Sequence, residues 1–144
     1  MNAQEMWEQY SSSENIHTCY AAWAFGDDAD ALADLVDRGT KTATASLLFW
    51  YELEEEPLPQ PGAYSIILDS EENAVCIIRT ERVSVIPFQD VDEGHAWKEG
   101  EGDRSLSYWR SVHEEFFRGE LEAAGQTFDE RMNVVCEEFI KVYP

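Results

Sequence analysis

The sequence predicts a mixed α+β fold, a small β-barrel with helices packed on it. Strand-like segments are few and widely spaced, amphipathic helical stretches lie between them, and one strand-like segment closes the chain. This order is typical of a compact barrel whose last strand returns to the sheet. With 144 residues, of which 44% are hydrophobic, residues 1–144 are expected to form a single domain with its own core.

Two helices are predicted in the first forty residues. Residues 3–13 predict a short N-terminal helix that docks large apolar side chains on the rest of the fold. A second helix is expected after Asp27 or Asp28, either of which can cap its first turn. Its C′ residue is expected to be Gly39, because glycine readily adopts the left-handed conformation that ends helices.

The strand segments follow. Residues 42–47 alternate hydroxyl-bearing and apolar side chains, which predicts a half-buried strand. Segments 64–69 and 74–88 read as two strands joined by a turn, and 133–143 as the closing strand. Two helical pieces, 90–99 and 105–119, separate them, and the second has an amphipathic stripe with Ser105 as a plausible N-cap.

The net charge of the chain limits which partners it can bind. The chain has 30 Asp and Glu against 10 Lys and Arg, a net charge of −20 that repels nucleic-acid phosphates at long range. RNA is therefore disfavoured as a polymer, whereas a single nucleoside or nucleotide can enter a local pocket. No apolar run approaches the roughly eighteen residues of a membrane span. Three cysteines with no close pair predict reduced thiols and a cytoplasmic location.

Ordered motifs resemble a known family. GTKTAT (residues 39–44) follows an amphipathic helix, and EGEGDRSLSYWRSVHEEFF (residues 99–117) precedes VVCEEFIKVY. The set resembles the ASCH domain family, a PUA-like β-barrel, and its longer bacterial members in particular. The resemblance runs from about residue 23 to residue 143 and implies that the helix at residues 3–13 is an addition to the barrel.

The resemblance implies more than one candidate function. ASCH and PUA-like domains are associated with RNA, one branch hydrolyses the amide of N(4)-acetylcytidine, and another is a metal-aided ribonuclease. The working residues of the amidohydrolase branch match Lys41, Thr44 and Glu99, the last in the run that begins His95-Ala96. Ser46 stands where the family usually has an arginine, which weakens phosphate contact.

The chemistry of this trio sets physical conditions. A threonine hydroxyl becomes a nucleophile only when a base removes its proton, and Lys41 can be that base only if its pKa falls. Glu99 could hold the substrate amine or give a proton to the leaving group. An ionised Glu99 nearby would raise the pKa of Lys41, so a basic Lys41 requires Glu99 to be protonated or set apart. Residues three apart on a flat strand point to opposite faces, so Lys41 and Thr44 converge only if the chain bends.

Other residues have both a binding and a structural interpretation. Trp23 and Phe25 can stack on a base or belong to the core, and Ser105 can face the cleft or cap its helix. Thr42 and Ser46 are further ligand-binding candidates, beside the lysine. Lys41 itself can stabilise a helix C-terminus.

A metal site is not expected. Glu99, Glu101 and Asp103 alternate in a glycine-containing loop, but the run lacks the calcium-loop pattern and a paired histidine. We therefore predict no metal and no cofactor. Three functions remain open, namely a small hydrolase acting on an acylated nucleoside or similar amide, a non-catalytic RNA or modified-nucleoside binding module, and a metal-aided ribonuclease.

Overall fold

The computed structural model describes all residues from Met1 to Pro144. It contains five strands and five α-helices, with a short 3-10 turn at Phe88–Asp90. In chain order the elements are α1 (Ala3–Glu14), β1 (Tyr20–Trp23), α2 (Ala29–Asp37), β2 (Ala43–Leu47), α3 (Leu48–Glu54), β3 (Tyr64–Leu68), β4 (Ala74–Pro87), α4 (Glu93–Glu99), α5 (Leu106–Ala123) and β5 (Asn133–Tyr143). No helix is both long enough and apolar enough to cross a membrane.

The five strands form one mixed sheet in the order β1-β3-β4-β5-β2. The edge strand β1 runs parallel to β3, and every other neighbouring pair is antiparallel. β1 and β2 are the two edges of the sheet, yet residues of both line one cavity. The sheet must therefore curve until its edges face each other, which gives the open barrel with helices packed on it that the sequence predicts.

Most predicted elements are confirmed, and two were missed. The segments 64–69, 74–88 and 133–143 form β3, β4 and β5, and the N-terminal helix is α1. The strand β1 was missed because four residues are too few to establish a period. Helix α3 was missed because its N-cap position, Leu47, offers no side chain to cap it. Helix α5 also continues past the predicted 119 to Ala123.

Helix ends explain how the site is positioned. Asp28 does occupy the N-cap position of α2, but it lies in the left-handed region (φ 43°), and its side chain makes no capping bond, contrary to expectation. Gly39 follows the C-cap Arg38 with φ +80°, as predicted. Ser105 caps α5, and its hydroxyl oxygen accepts a hydrogen bond from the Tyr108 amide at 3.1 Å.

The core consists of three apolar clusters that anchor the helices. Helix α1 buries Met6, Trp7 and Tyr10 against β3 and β4. Helix α2 packs on the same two strands and β5 through a second cluster, and α5 packs on β2 and β5 through a third. Because α2 and α5 are both fixed to the sheet, the loops at their ends are held close together.

Candidate active site

Lys41 is a buried lysine between α2 and β2. Its amide donates to the carbonyl of Leu35 at 3.1 Å, so the residue belongs to the turn that ends α2. The side chain is 1% exposed, and its Nζ donates to Glu99 Oε1 at 3.0 Å and to Glu101 Oε2 at 2.8 Å. A buried ammonium of this kind is stable only with charged partners, which the two carboxylates provide.

Glu99, the last residue of α4, is the centre of the polar cluster. It is 1% exposed, and its Oε2 lies 2.7 Å from both His95 Nε2 and Trp109 Nε1. Its Oε1 contacts Lys41 and, at 3.4 Å, His113 Nε2. Each carboxylate oxygen therefore has two protein contacts, which leaves Glu99 without a free position for a substrate amine.

The electrostatics of the cluster favour charged groups. Burial by itself would lower the pKa of Lys41, but the charges of Glu99 and Glu101 outweigh it, and the pKa is raised. Burial would likewise raise the pKa of Glu99, but Lys41 and His113 overcome it and hold that pKa well below its usual value. Both shifts favour the ammonium form of Lys41 and the carboxylate form of Glu99, so the lowered lysine pKa that a base requires is not found.

The contacts of His113 favour a second positive charge in the cluster. Its Nδ1 lies 2.9 Å from the Trp109 carbonyl, and its Nε2 faces Glu99. A carbonyl and a carboxylate both accept, so the imidazole satisfies both contacts only when each nitrogen carries a proton. Burial opposes this charge, but the hydrogen bond and charge of Glu99 prevail and raise the pKa of His113.

A close backbone contact aligns Glu99 with Lys41. Gly100 ends α4 in the left-handed region (φ +72°), and a Cβ there would lie 2.5 Å from the Thr40 carbonyl oxygen. The Thr42 amide donates to the Lys98 carbonyl at 2.7 Å. The end of α4 and the start of β2 therefore touch backbone to backbone, which leaves no room for a side chain at position 100.

Thr44 lies where two cavities meet. It lines both a small pocket of about 80 Å³, shared with Lys41 and Glu99, and a large cavity of about 720 Å³. Lys41 precedes the strand rather than belonging to it, so the alternation rule does not separate the two side chains. The structure thus brings the three candidate catalytic residues to one pocket. The Thr42 and Ser46 hydroxyls have hydrogen-bond partners, whereas the Thr44 hydroxyl makes no hydrogen bond.

The large cavity opens between the two sheet edges. Its lining comes from all five strands, α3 and α5, and includes no lysine, arginine or histidine. Trp23 and Phe25 line it, with their rings 5.0 Å apart in an edge-on arrangement. Ser46 lines it too and shares a 3.0 Å hydrogen bond with the Tyr51 hydroxyl.

Two predicted ligand-binding residues lie outside both cavities. Thr42 lines neither, and its hydroxyl donates to the Lys98 carbonyl at 3.4 Å. Ser105 lines neither, and its side chain is the N-cap of α5. Sequence reasoning also missed the acid Glu137, a buried member of the large-cavity lining. The available signal was its register in β5, two residues from Val135 and Phe139, where an inward-facing apolar residue is expected.

The carboxylates do not form a well-suited metal site. Donor atoms of Glu99, Glu101 and His113 lie within 4.8 Å of one another, and Asp103 is not among them. The Lys41 ammonium already contacts both glutamates, and it would repel a cation bound between them. The donor set therefore fits the lysine that it holds better than it fits a divalent metal.

Comparisons with known proteins agree with this architecture. The family model described as ASCH domain matches residues 21–143, so the chain belongs to the ASCH domain family. The crystal structure of an ASCH domain from Lactobacillus crispatus JV V101 is 37% identical, with a TM-score of 0.92, and the match covers 98% of this chain and 94% of that one. Protein EF3133 from Enterococcus faecalis V583 is 36% identical, with a TM-score of 0.91, covering 99% and 88%. The search of curated proteins gives no match.

Proposed function

We propose that this ASCH domain protein is a small hydrolase that acts on an acylated nucleoside or a similar amide. The observation that carries the proposal is the position of Thr44. Its hydroxyl is free of protein hydrogen bonds, and it lies at the junction between the pocket of Lys41 and a cavity of about 720 Å³. A cavity of this size is in the range that holds one small organic molecule.

In the proposed reaction Thr44 is the nucleophile. Glu99 and Glu101 raise the pKa of Lys41, so its ammonium is not a base in the free protein. The reaction therefore requires Lys41 first to pass a proton to Glu101, its less buried partner with a 16% exposed side chain, at a free-energy cost that substrate binding must offset. The neutral amine then takes the Thr44 proton while Oγ1 attacks the amide carbon. The leaving amine takes the proton from Lys41 as the C–N bond breaks, and water then hydrolyses the acyl-threonine ester to the free acid and the Thr44 hydroxyl. The proton on Glu101 returns to Lys41, which restores the starting state of the site. Glu99 stays ionised and positions Lys41 rather than touching the substrate.

The cavity suits a nucleoside better than a nucleic acid. Its lining lacks basic side chains, and the chain has a net charge of −20, so a polyanion gains little from either. Aromatic side chains such as Trp23 and Phe25 offer flat surfaces for a base. The amidohydrolase branch that the lysine motif resembles acts on N(4)-acetylcytidine, which makes this nucleoside the first substrate to test.

A second function is a non-catalytic binding module for a modified nucleoside. The raised pKa of Lys41 favours it, because a saturated ion-pair cluster also stabilises a fold without any chemistry. A metal-aided ribonuclease is the least favoured account, since Lys41 contacts both glutamates that would bind the metal.

The test is release of acetate from N(4)-acetylcytidine. Wild type should turn over, and Lys41→Ala and Thr44→Val should each abolish turnover. Because loss of Lys41 destabilises the fold, circular dichroism must show that each variant is folded at the assay temperature. Nucleoside binding is measured in parallel by calorimetry. Binding without turnover at high protein concentration would reject the hydrolase for this substrate and favour the binding module. Turnover only after addition of Mn²⁺ to an RNA substrate would favour the ribonuclease.

A further inference from the structure

The large cavity contains a buried carboxyl group that the proposed chemistry does not use. Glu137, in β5, is 6% exposed, and its Oε2 accepts a hydrogen bond from the Thr80 hydroxyl at 2.6 Å. Its Oε1 has no protein hydrogen bond, although the residue lines the cavity. This oxygen is therefore open to a hydrogen-bond donor or acceptor of a molecule bound in the cavity.

The register of the sheet puts this group beside Thr44. Glu137 lies directly opposite Thr44 in the antiparallel β2–β5 pair, so the two side chains project from the same face. Residues in such pairs have Cβ atoms about 4.5–5.5 Å apart. A ligand bound to Glu137 therefore presents a neighbouring substituent to the Thr44 hydroxyl.

The charge of the lining defines what can bind. Three acids, Glu56, Glu120 and Glu137, and no basic residue line the cavity. Burial raises the pKa of Glu137 against the smaller opposing effect of the Thr80 hydrogen bond, and burial also raises the pKa of Glu120. A protonated carboxyl group offers one hydrogen-bond donor and one acceptor. An anionic ligand would find no basic side chain in the lining to compensate its charge.

We propose that Glu137, held by Thr80, is the specificity-determining group of the cavity. It binds a flat, uncharged nitrogen heterocycle through a ring edge on which a ring nitrogen without hydrogen lies beside an N–H group. The carboxyl O–H donates to the ring nitrogen, and the other oxygen accepts from the N–H and from Thr80. Aromatic side chains of the lining, Trp23 and Tyr64 among them, cover the faces of the ring. The inference rests on the proposed hydrolase only for the role given to Thr44.

The test measures equilibrium binding, which needs no turnover. Calorimetry compares cytosine, which has such an edge, with benzoate, an anion of similar size. The variants are Glu137→Gln, which keeps one donor and one acceptor, and Glu137→Leu, which keeps neither. The matched control is Glu56→Leu, at an exposed acid of the same cavity. The double variant Thr80→Val/Glu137→Leu replaces both partners if Glu137→Leu alone does not fold.

We expect wild type, Glu137→Gln and Glu56→Leu to bind cytosine with affinities within about threefold, and Glu137→Leu to lose about tenfold or more. Benzoate should not bind. Unchanged affinity in Glu137→Leu, no cytosine binding by wild type, or benzoate binding as tight as that of cytosine would overturn the inference. Selective cytosine binding without acetate release would reject the hydrolase alone. Acetate release with an unchanged KM in Glu137→Leu would reject the specificity role alone.

Discussion

Lys41 and Glu99 form a 3.0 Å ion pair in which both side chains are 1% exposed, 58 residues apart in the sequence. The pair joins the end of α2 to the end of α4, and Glu101, His95, His113 and Trp109 complete its contacts. Buried charges of this kind stabilise a fold only as a complete set, because each alone would lose its hydration without compensation.

Removing one member should therefore be costly. We expect Lys41→Met to lower the free energy of unfolding by about 3–5 kcal/mol, since it leaves Glu99 and Glu101 in place without their ammonium. Lys41→Met/Glu99→Gln should lose less than the sum of the single variants. The control is Lys98→Met, whose partner Glu138 lies at 2.6 Å but whose own side chain is 46% exposed, and about 1 kcal/mol or less is expected. Equal losses at the two lysines in urea unfolding would contradict the prediction.

Thr44 should be essential for turnover but not for binding. Thr44→Val keeps the β-branched shape and removes the nucleophile, so we expect acetate release to fall by about a hundredfold or more with nucleoside affinity little changed. Thr44→Ser keeps a hydroxyl and should retain measurable activity. Mass spectrometry of the quenched wild-type reaction should show one added acetyl group, which Thr44→Val lacks. Full activity in Thr44→Val would mean that water, not Thr44, attacks the amide.

His113 should make stability depend on pH. Its pKa is raised in the folded state above the ordinary value of 6.5. A raised folded pKa contributes stability that is complete below the unfolded pKa and is lost as pH rises through the folded pKa. The difference in unfolding free energy between wild type and His113→Gln should therefore be larger at pH 6 than at pH 9. In a Glu99→Gln background the same difference should flatten, and a difference that grows with pH would refute the assignment.

The fold was more predictable than the site, for physical reasons. The strand β5 was predicted at its observed bounds, Asn133–Tyr143, because the segment is rich in β-branched and aromatic residues. The meeting of Lys41 with Glu99 could be expected only from the family resemblance. The contacts of Trp109 and His113 with Glu99 arise from the packing of α5 on α4, which periodicity within either helix does not reveal.

The carboxyl group of Glu137, which was missed, shows a second limit of prediction from the sequence. Alternation places Glu137 on the same face of β5 as the buried Val135 and Phe139, but the same alternation is compatible with a solvated face in so acidic a chain. Only the curvature of the sheet, which brings β1 and β2 to one cavity, decides that this face is inside.

Gly100 should be intolerant of a side chain. Gly100→Ala places a Cβ 2.5 Å from the Thr40 carbonyl oxygen and 3.2 Å from the Lys41 Cα, in a left-handed conformation. We expect a loss of more than about 1 kcal/mol of stability and a loss of acetate release, because Lys41 shifts away from Thr44. Gly119→Ala is the control, since nothing lies within 4 Å of its Cβ, and it should gain about 0.5–1 kcal/mol in helix α5. Similar unfolding midpoints for both variants would show that the backbone contact is unimportant.

The three thiols should react very differently. Burial raises the pKa of both Cys76 and Cys136 to about 12, whereas Cys19 is exposed and lines the large cavity. The thiolate is the reactive form, so a thiol reagent at pH 8 should modify one cysteine of the native protein quickly and all three only in urea. Cys19→Ser should abolish the fast phase.

Because Cys19 shares the cavity with the proposed ligand site, saturating cytosine should slow labelling of the wild-type protein, and it should not slow labelling of Glu137→Leu. Fast labelling of two or three native thiols would contradict the burial of Cys76 and Cys136, and labelling indifferent to cytosine would place the ligand elsewhere.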